Sequence, residues 1–167
     1  MAPANLFRGF PERLRVGTER RDASYTLAPG YHAVHHGREE TDTAGAVMTL
    51  KEEGIAVYRG EPDESRGDTA RVTPVYELQP SGPLAVPTGK VFVRFAQGVD
   101  AASRRAEIER AGYEIVKTSP YTPHTAWLQS ASGGVAQSLS NIHALESLAD
   151  VENVEPQMLT PREPRGA

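Results

Sequence analysis

Three histidines crowd one short stretch, at His32, His35 and His36, and a His-x-x-His-His run offers the donor type of a zinc or copper centre. Such a centre needs at least three protein ligands, each held by a partner behind it. Histidines on a loop or an edge strand explain the spacing equally well, so no metal and no other cofactor is expected. Glu39–Glu40 and Glu52–Glu53 have the type for general acid–base work. Neighbours along an extended chain point to opposite faces, so neither pair makes a dyad by itself. Serine, histidine and aspartate all occur, but no Gly-x-Ser-x-Gly nucleophile elbow does. The absence of cysteine removes thiolate nucleophiles, thiolate zinc sites and disulfides. The chemistry-bearing residues therefore read as non-enzymatic.

The elements that would position any site divide unevenly along the 167 residues. Residues 1–23 are polar, with arginines at 13, 15, 20 and 21, and read as a flexible arm. Residues 24–88 read as a small β-rich module with a linker. Ala46–Leu50 and Ile55–Tyr58 flank a short glycine-containing loop, a hairpin signal. Arg71–Leu78 is a further strand in which Pro74 favours an edge or a bulge. Pro80–Pro83 and Val86–Gly89 read as the linker.

From residue 89 to 156 the pattern is more regular. Val91–Phe95 is β-branched and aromatic, hence a strand. Asp100 is placed to cap a helix over Ala101–Ala111, which Gly112 ends as a C′ glycine. Tyr113–Lys117 and Thr125–Gln129 are strands around a Ser119–Pro123 turn. Val135, Leu139, Ile142, Leu145 and Leu148 recur at spacings of three and four, one helix stripe over Val135–Ala149. Asp150 breaks it, Val151–Glu155 forms a fourth strand, and Pro156 blocks further extension, leaving residues 157–167 as an extended tail. The expected class is α+β, a ferredoxin-like βαββαβ antiparallel sheet with two helices on one face, preceded by the small β-rich module. One sheet face would be left open, with Trp127 either on it as a contact anchor or in the core beneath the helices.

Composition narrows what that face could bind. The net charge is −4, and the one aromatic of Thr125–Gln129 has no lysine or arginine beside it, so nucleic acid is not an expected partner. No window approaches the roughly 20 apolar residues of a membrane span, and Met1–Phe10 lacks a signal-type apolar core. The expected location is cytoplasmic, with no membrane partner.

In this order, Val91-Phe-Val-Arg-Phe-Ala-Gln-Gly-Val99, Ile108-Glu-Arg-Ala-Gly-Tyr-Glu-Ile-Val116, Thr125-Ala-Trp-Leu128 and Leu145-Glu-Ser-Leu-Ala-Asp-Val-Glu-Asn-Val-Glu-Pro156 resemble the N-terminal propeptide, or peptidase-inhibitor, family of subtilisin-like serine proteases. The resemblance spans residues of about 90–162. It implies a non-catalytic protein that binds such a protease as inhibitor, folding chaperone or both. The protease's own motifs are missing: His36-Gly37 continues into Arg38-Glu39, and no Gly-Thr-Ser nucleophile segment follows. Carried onto this chain, sheet-face contacts fall to Tyr113, Ile115, Lys117 and Trp127. Glu155 would cap a protease helix N-terminus. Gln157, Met158, Leu159, Thr160, Pro161 and Arg162 would lie in the substrate cleft, Met158 and Leu159 filling pockets, by β-augmentation. The family pattern allows a free-standing inhibitor or the released front of a precursor. The alternative is a ferredoxin-like regulatory or adaptor module that binds another protein through the open sheet face.

Overall fold

The computed structural model describes residues 9–17, 20–35, 45–50, 54–60, 71–79 and 82–160. Its strands are β1 (Arg13–Gly17), β2 (Arg20–His35), β3 (Met48–Leu50), β4 (Ile55–Arg59), β5 (Arg71–Gln79), β6 (Leu84–Phe95), β7 (Tyr113–Thr118), β8 (Thr125–Ser130) and β9 (Val151–Leu159). Helical structure is confined to a 3-10 turn at Ala101–Arg104 and to α1 (Arg105–Arg110), α2 (Val135–Ser140) and α3 (Ile142–Glu146). All strand pairs are antiparallel, and the nine strands form one sheet in the order β3-β4-β2-β5-β6-β8-β7, with β1 added to β2 and β9 added to β6.

The α+β ferredoxin-like expectation is overturned. The described residues are mostly antiparallel strand, and the helices are short pieces rather than two long ones on one face. The long stripe read over Val135–Ala149 splits at Asn141, which ends α2 and precedes α3. The expected Ala101–Ala111 helix begins as a 3-10 turn, where Asp100 makes no side-chain cap; instead the Ser103 hydroxyl donates to the Asp100 carbonyl at 2.6 Å. At the other end, Gly112 follows with φ +97° and its N–H donates to the Glu109 carbonyl at 3.0 Å. Asp150, at φ 68°, reverses the chain into β9 and accepts from Arg104 at 2.7 Å; short polar side chains tolerate this region better than most.

The expected linker is also strand. Residues 84–89 belong to β6, with Ala85 and Val86 fully buried, so the boundary drawn at residue 88 falls inside a continuous element. The start of β6 pairs with β5 through Ala85↔Tyr76, and its remainder pairs with β8 and β9. Between these stretches the register against β9 shifts from Pro87↔Met158 to Val91↔Pro156. Pro156 therefore does not end β9. Its missing N–H falls where β6 bulges around Gly89, so the ladder resumes with Met158 and Leu159. Pro74 is treated alike, since the β2–β5 register shifts between Leu27 and His32 across from it.

Two main cores follow. Ile108 of α1 and Leu145 of α3 pack onto Val91, Val93, Phe95, Ala126, Leu128 and Val154. Ala33, Leu50, Ile55, Val57, Val75 and Val86 form the second. Leu14, Tyr76 and Leu139, joined by Tyr25 and Met158, make a third cluster that ties β1, β2 and β5 to α2 and β9. The Tyr76 hydroxyl donates to the Pro11 carbonyl at 2.7 Å, and the Tyr113 hydroxyl to the Ser138 carbonyl.

Gly89 sits at φ +94°, and a Cβ there would meet Val135 Cγ2 at 3.2 Å. Gly89→Ala is expected to lower stability by about 1–2 kcal/mol in urea denaturation; an unchanged midpoint would show that the bulge is not held in this conformation. Burial pushes both the Tyr76 and Tyr113 phenols above their ordinary value. The unfolded chain loses these protons from about pH 10 while the native state keeps them, so stability falls as pH rises past that point. Each tyrosine steepens the fall by up to about 1.4 kcal/mol per pH unit. Tyr76→Phe and Tyr113→Phe should each remove its share of that slope between about pH 9 and pH 11, and an unaltered slope would place the phenols in water.

Candidate functional site

Alternation along β8 turns Ala126, Leu128 and Ser130 toward the helices and leaves Thr125, Trp127 and Gln129 on the opposite face. The same parity in β6 buries Val91, Val93 and Phe95 and turns Phe92 outward. Register then aligns three outward residues across neighbouring strands, Trp127 opposite Phe92 and Phe92 opposite Glu155. The Phe92 and Trp127 rings meet edge to face with centroids 5.2 Å apart, a favoured aromatic geometry. Lys117 joins the row at its far end, because a bulge between Ile115 and Lys117 brings it opposite Trp127.

Beside this row lies an open cleft of about 390 Å³, lined by Tyr25, Phe92, Trp127 and the run Glu155–Met158. Tyr25 arrives from β2, held between Leu14 of β1 and Leu78 of β5. The Thr88 hydroxyl, at the β6 bulge, donates to Gln157 Oε1 at 2.8 Å and fixes that rim. Glu155 is the one charged residue of the lining. Its carboxylate has no ion pair or hydrogen-bond partner among the described residues, where the ion pairs are Arg94–Glu152, Arg104–Glu107 and Arg104–Asp150.

The structure gathers some of the expected contact residues and disperses others. Trp127, Glu155, Gln157 and Met158 line one cleft. Tyr113 does not face outward: it is fully buried under the helices. Ile115 packs at the margin of the same core. Gln157, Met158 and Leu159 are not tail residues but the end of β9, with Met158 against Leu14, Tyr76 and Leu139 and Leu159 against the core that contains Val86. Thr160 is exposed after the strand, whereas Pro161 and Arg162 lie outside the described residues. Phe92 and Tyr25 were missed. The period-2 pattern of Val91–Phe95 carried the signal for Phe92; no local signal places Tyr25 beside Trp127.

His32 and His35 engage separate partners. His32 is buried, donates from Nδ1 to the Gly60 carbonyl at 2.8 Å and stacks on Tyr58. His35 Nε2 lies 3.0 Å from Thr73 Oγ1, and His36, with the two glutamate pairs, lies outside the described residues. No cluster of three metal-ligating side chains occurs among the described residues, and none of their helices is long and apolar enough to cross a membrane. The chain matches no family model, no curated protein and no solved structure.

Trp127 is the chain's single tryptophan, so intrinsic fluorescence reports this face alone. Emission is expected at the position of a partly hydrated indole and should be quenched by acrylamide. A blue-shifted, unquenched emission would put Trp127 in the core.

Proposed function

We propose that this protein is a non-catalytic binding protein whose outer sheet face docks a subtilisin-like serine protease and inhibits it. One observation carries the reading: a half-buried aromatic pair, Phe92 and Trp127, faces outward beside a carboxylate that has no partner among the described residues. A tryptophan among half-exposed neighbours is the side-chain type most enriched where binding energy concentrates, and a carboxylate at its margin gives orientation. The class of partner comes from the resemblance over residues of about 90–162.

The structure of β9 changes how inhibition would work. Gln157, Met158 and Leu159 are engaged in the sheet and in two cores, so a segment entering a protease cleft begins no earlier than Thr160. Docking is then carried by Trp127, Phe92, Lys117 and Glu155, the last giving the face its acidic contact. Blockage of the active site is left to residues from 160 onward, pairing by β-augmentation.

Titration into a subtilisin-like protease, with residual activity read on a peptide substrate, tests this. Saturable inhibition is expected, weakened at least tenfold by Trp127→Ala. Deleting residues 161–167 should abolish competition with substrate while leaving complex formation measurable by calorimetry. Inhibition that survives both changes would overturn the docking face and the blocking segment alike. A protein that binds no protease, but binds another partner in a Trp127-dependent way, would be an adaptor acting through the same face.

A further inference from the structure

We infer that the cleft between Tyr25, Phe92, Trp127 and Glu155 takes the guanidinium of an arginine presented by the partner; the inference deepens the docking reading and rests on it. The lining combines three aromatic side chains with a single charge, and that charge is negative. An aromatic ring attracts a cation through its quadrupole, tryptophan most strongly, and a carboxylate at the rim supplies the opposite charge. A guanidinium suits both at once, because it is planar, stacks on rings and pairs with a carboxylate through two parallel N–H donors.

Glu155 has no described partner, and the one cation–ring contact among the described residues is elsewhere, Arg59 over Tyr31 at 6.0 Å. Lys117 stands across the ladder from Trp127 but does not line the cleft. The arrangement selects against other occupants. A phosphate or carboxylate would meet Glu155 with no cation in the lining to balance it, and a purely apolar side chain would leave that carboxylate desolvated and unpaired. About 390 Å³ falls near the lower limit of the roughly 300–1,000 Å³ typical of ligand sites, enough for one long side chain rather than a large metabolite.

The cleft is rigid where it needs to be. Phe92 and Glu155 lie on paired strands, Gln157 is tied to Thr88, and Tyr25 is wedged into the cluster that links the two halves of the chain. A planar cation would enter between surfaces already in place, which limits the ordering cost of binding.

The test is a fluorescence titration of the full chain with an acetyl-Gly-Arg-Gly-amide peptide, Trp127 being the reporter. The same peptide with citrulline in place of arginine keeps shape and polarity and removes the charge. A saturable change with arginine, at least fivefold weaker with citrulline, is expected. Glu155→Gln should lower the arginine affinity roughly tenfold and leave the citrulline response nearly unchanged, whereas Glu114→Gln, outside the cleft, should alter neither. No saturable change, an equal response to the two peptides, or indifference to Glu155→Gln would overturn the inference. Failure of the arginine peptide alongside intact protease inhibition removes the cleft assignment alone. Arginine binding without inhibition of any subtilisin-like protease removes the partner class and leaves the cleft.

Discussion

Strand Leu84–Phe95 is the constraint on which the rest of the molecule depends. Its first residues close the ladder with β5, and its later residues lie between β8 and β9. Its partners change along its length, β5 at the start and β8 beyond, and the change coincides with a bulge at Thr88–Lys90, where Gly89 takes positive φ. The strand is the common element of the two main cores, since Val86 belongs to one and Val91, Val93 and Phe95 to the other. The same bulge faces Pro156 and Gln157, which lets a proline sit inside β9 without interrupting it.

The outward Phe92–Trp127–Glu155 row is a consequence of that join. Once Val91, Val93 and Phe95 are committed to the helix-covered core, parity sends Phe92 outward, and antiparallel register places Trp127 and Glu155 on either side of it. The continuation of β9 past the bulge then brings Gln157 and Met158 to the rim, and the third cluster brings Tyr25 from β2. The first half of the chain is thus part of the site. It supplies one wall of the cleft and, through Tyr76 and Leu14, the packing that holds that wall.

Local pattern exposed the strands better than the plan they enter. The β-branched run at Val91–Phe95, the alternation at Thr125–Gln129 and the glycine-broken pair at Met48–Leu50 and Ile55–Arg59 are strands because each needs only its own residues to declare its period. Proline and glycine misled in Leu84–Lys90 and at Pro156. They signal turns when read alone, but here Gly89 sits in a bulge next to the Val91↔Pro156 pair, and that pairing is invisible without the register. The apolar stripe from Val135 to Leu148 has the period of a single helix; Ser140 and Asn141, weak helix formers, divide it. Trp127 and Glu155 were legible as candidates. Their juxtaposition with Phe92 and Tyr25 was not, because it depends on partners distant along the chain. Tyr113, a contact residue by the resemblance, is a core residue whose hydroxyl donates to a backbone carbonyl.

The central claim is that one face, the outward side of β6, β8 and β9, is where this protein meets a partner. Hydrogen–deuterium exchange on a purified complex with a subtilisin-like protease measures that footprint directly. The account predicts new protection at Phe92, Trp127 and Glu155 and their strand neighbours, with β3 and β4 unchanged. Protection centred on β3 and β4, with Trp127 and Glu155 exchanging as in the free protein, would contradict it.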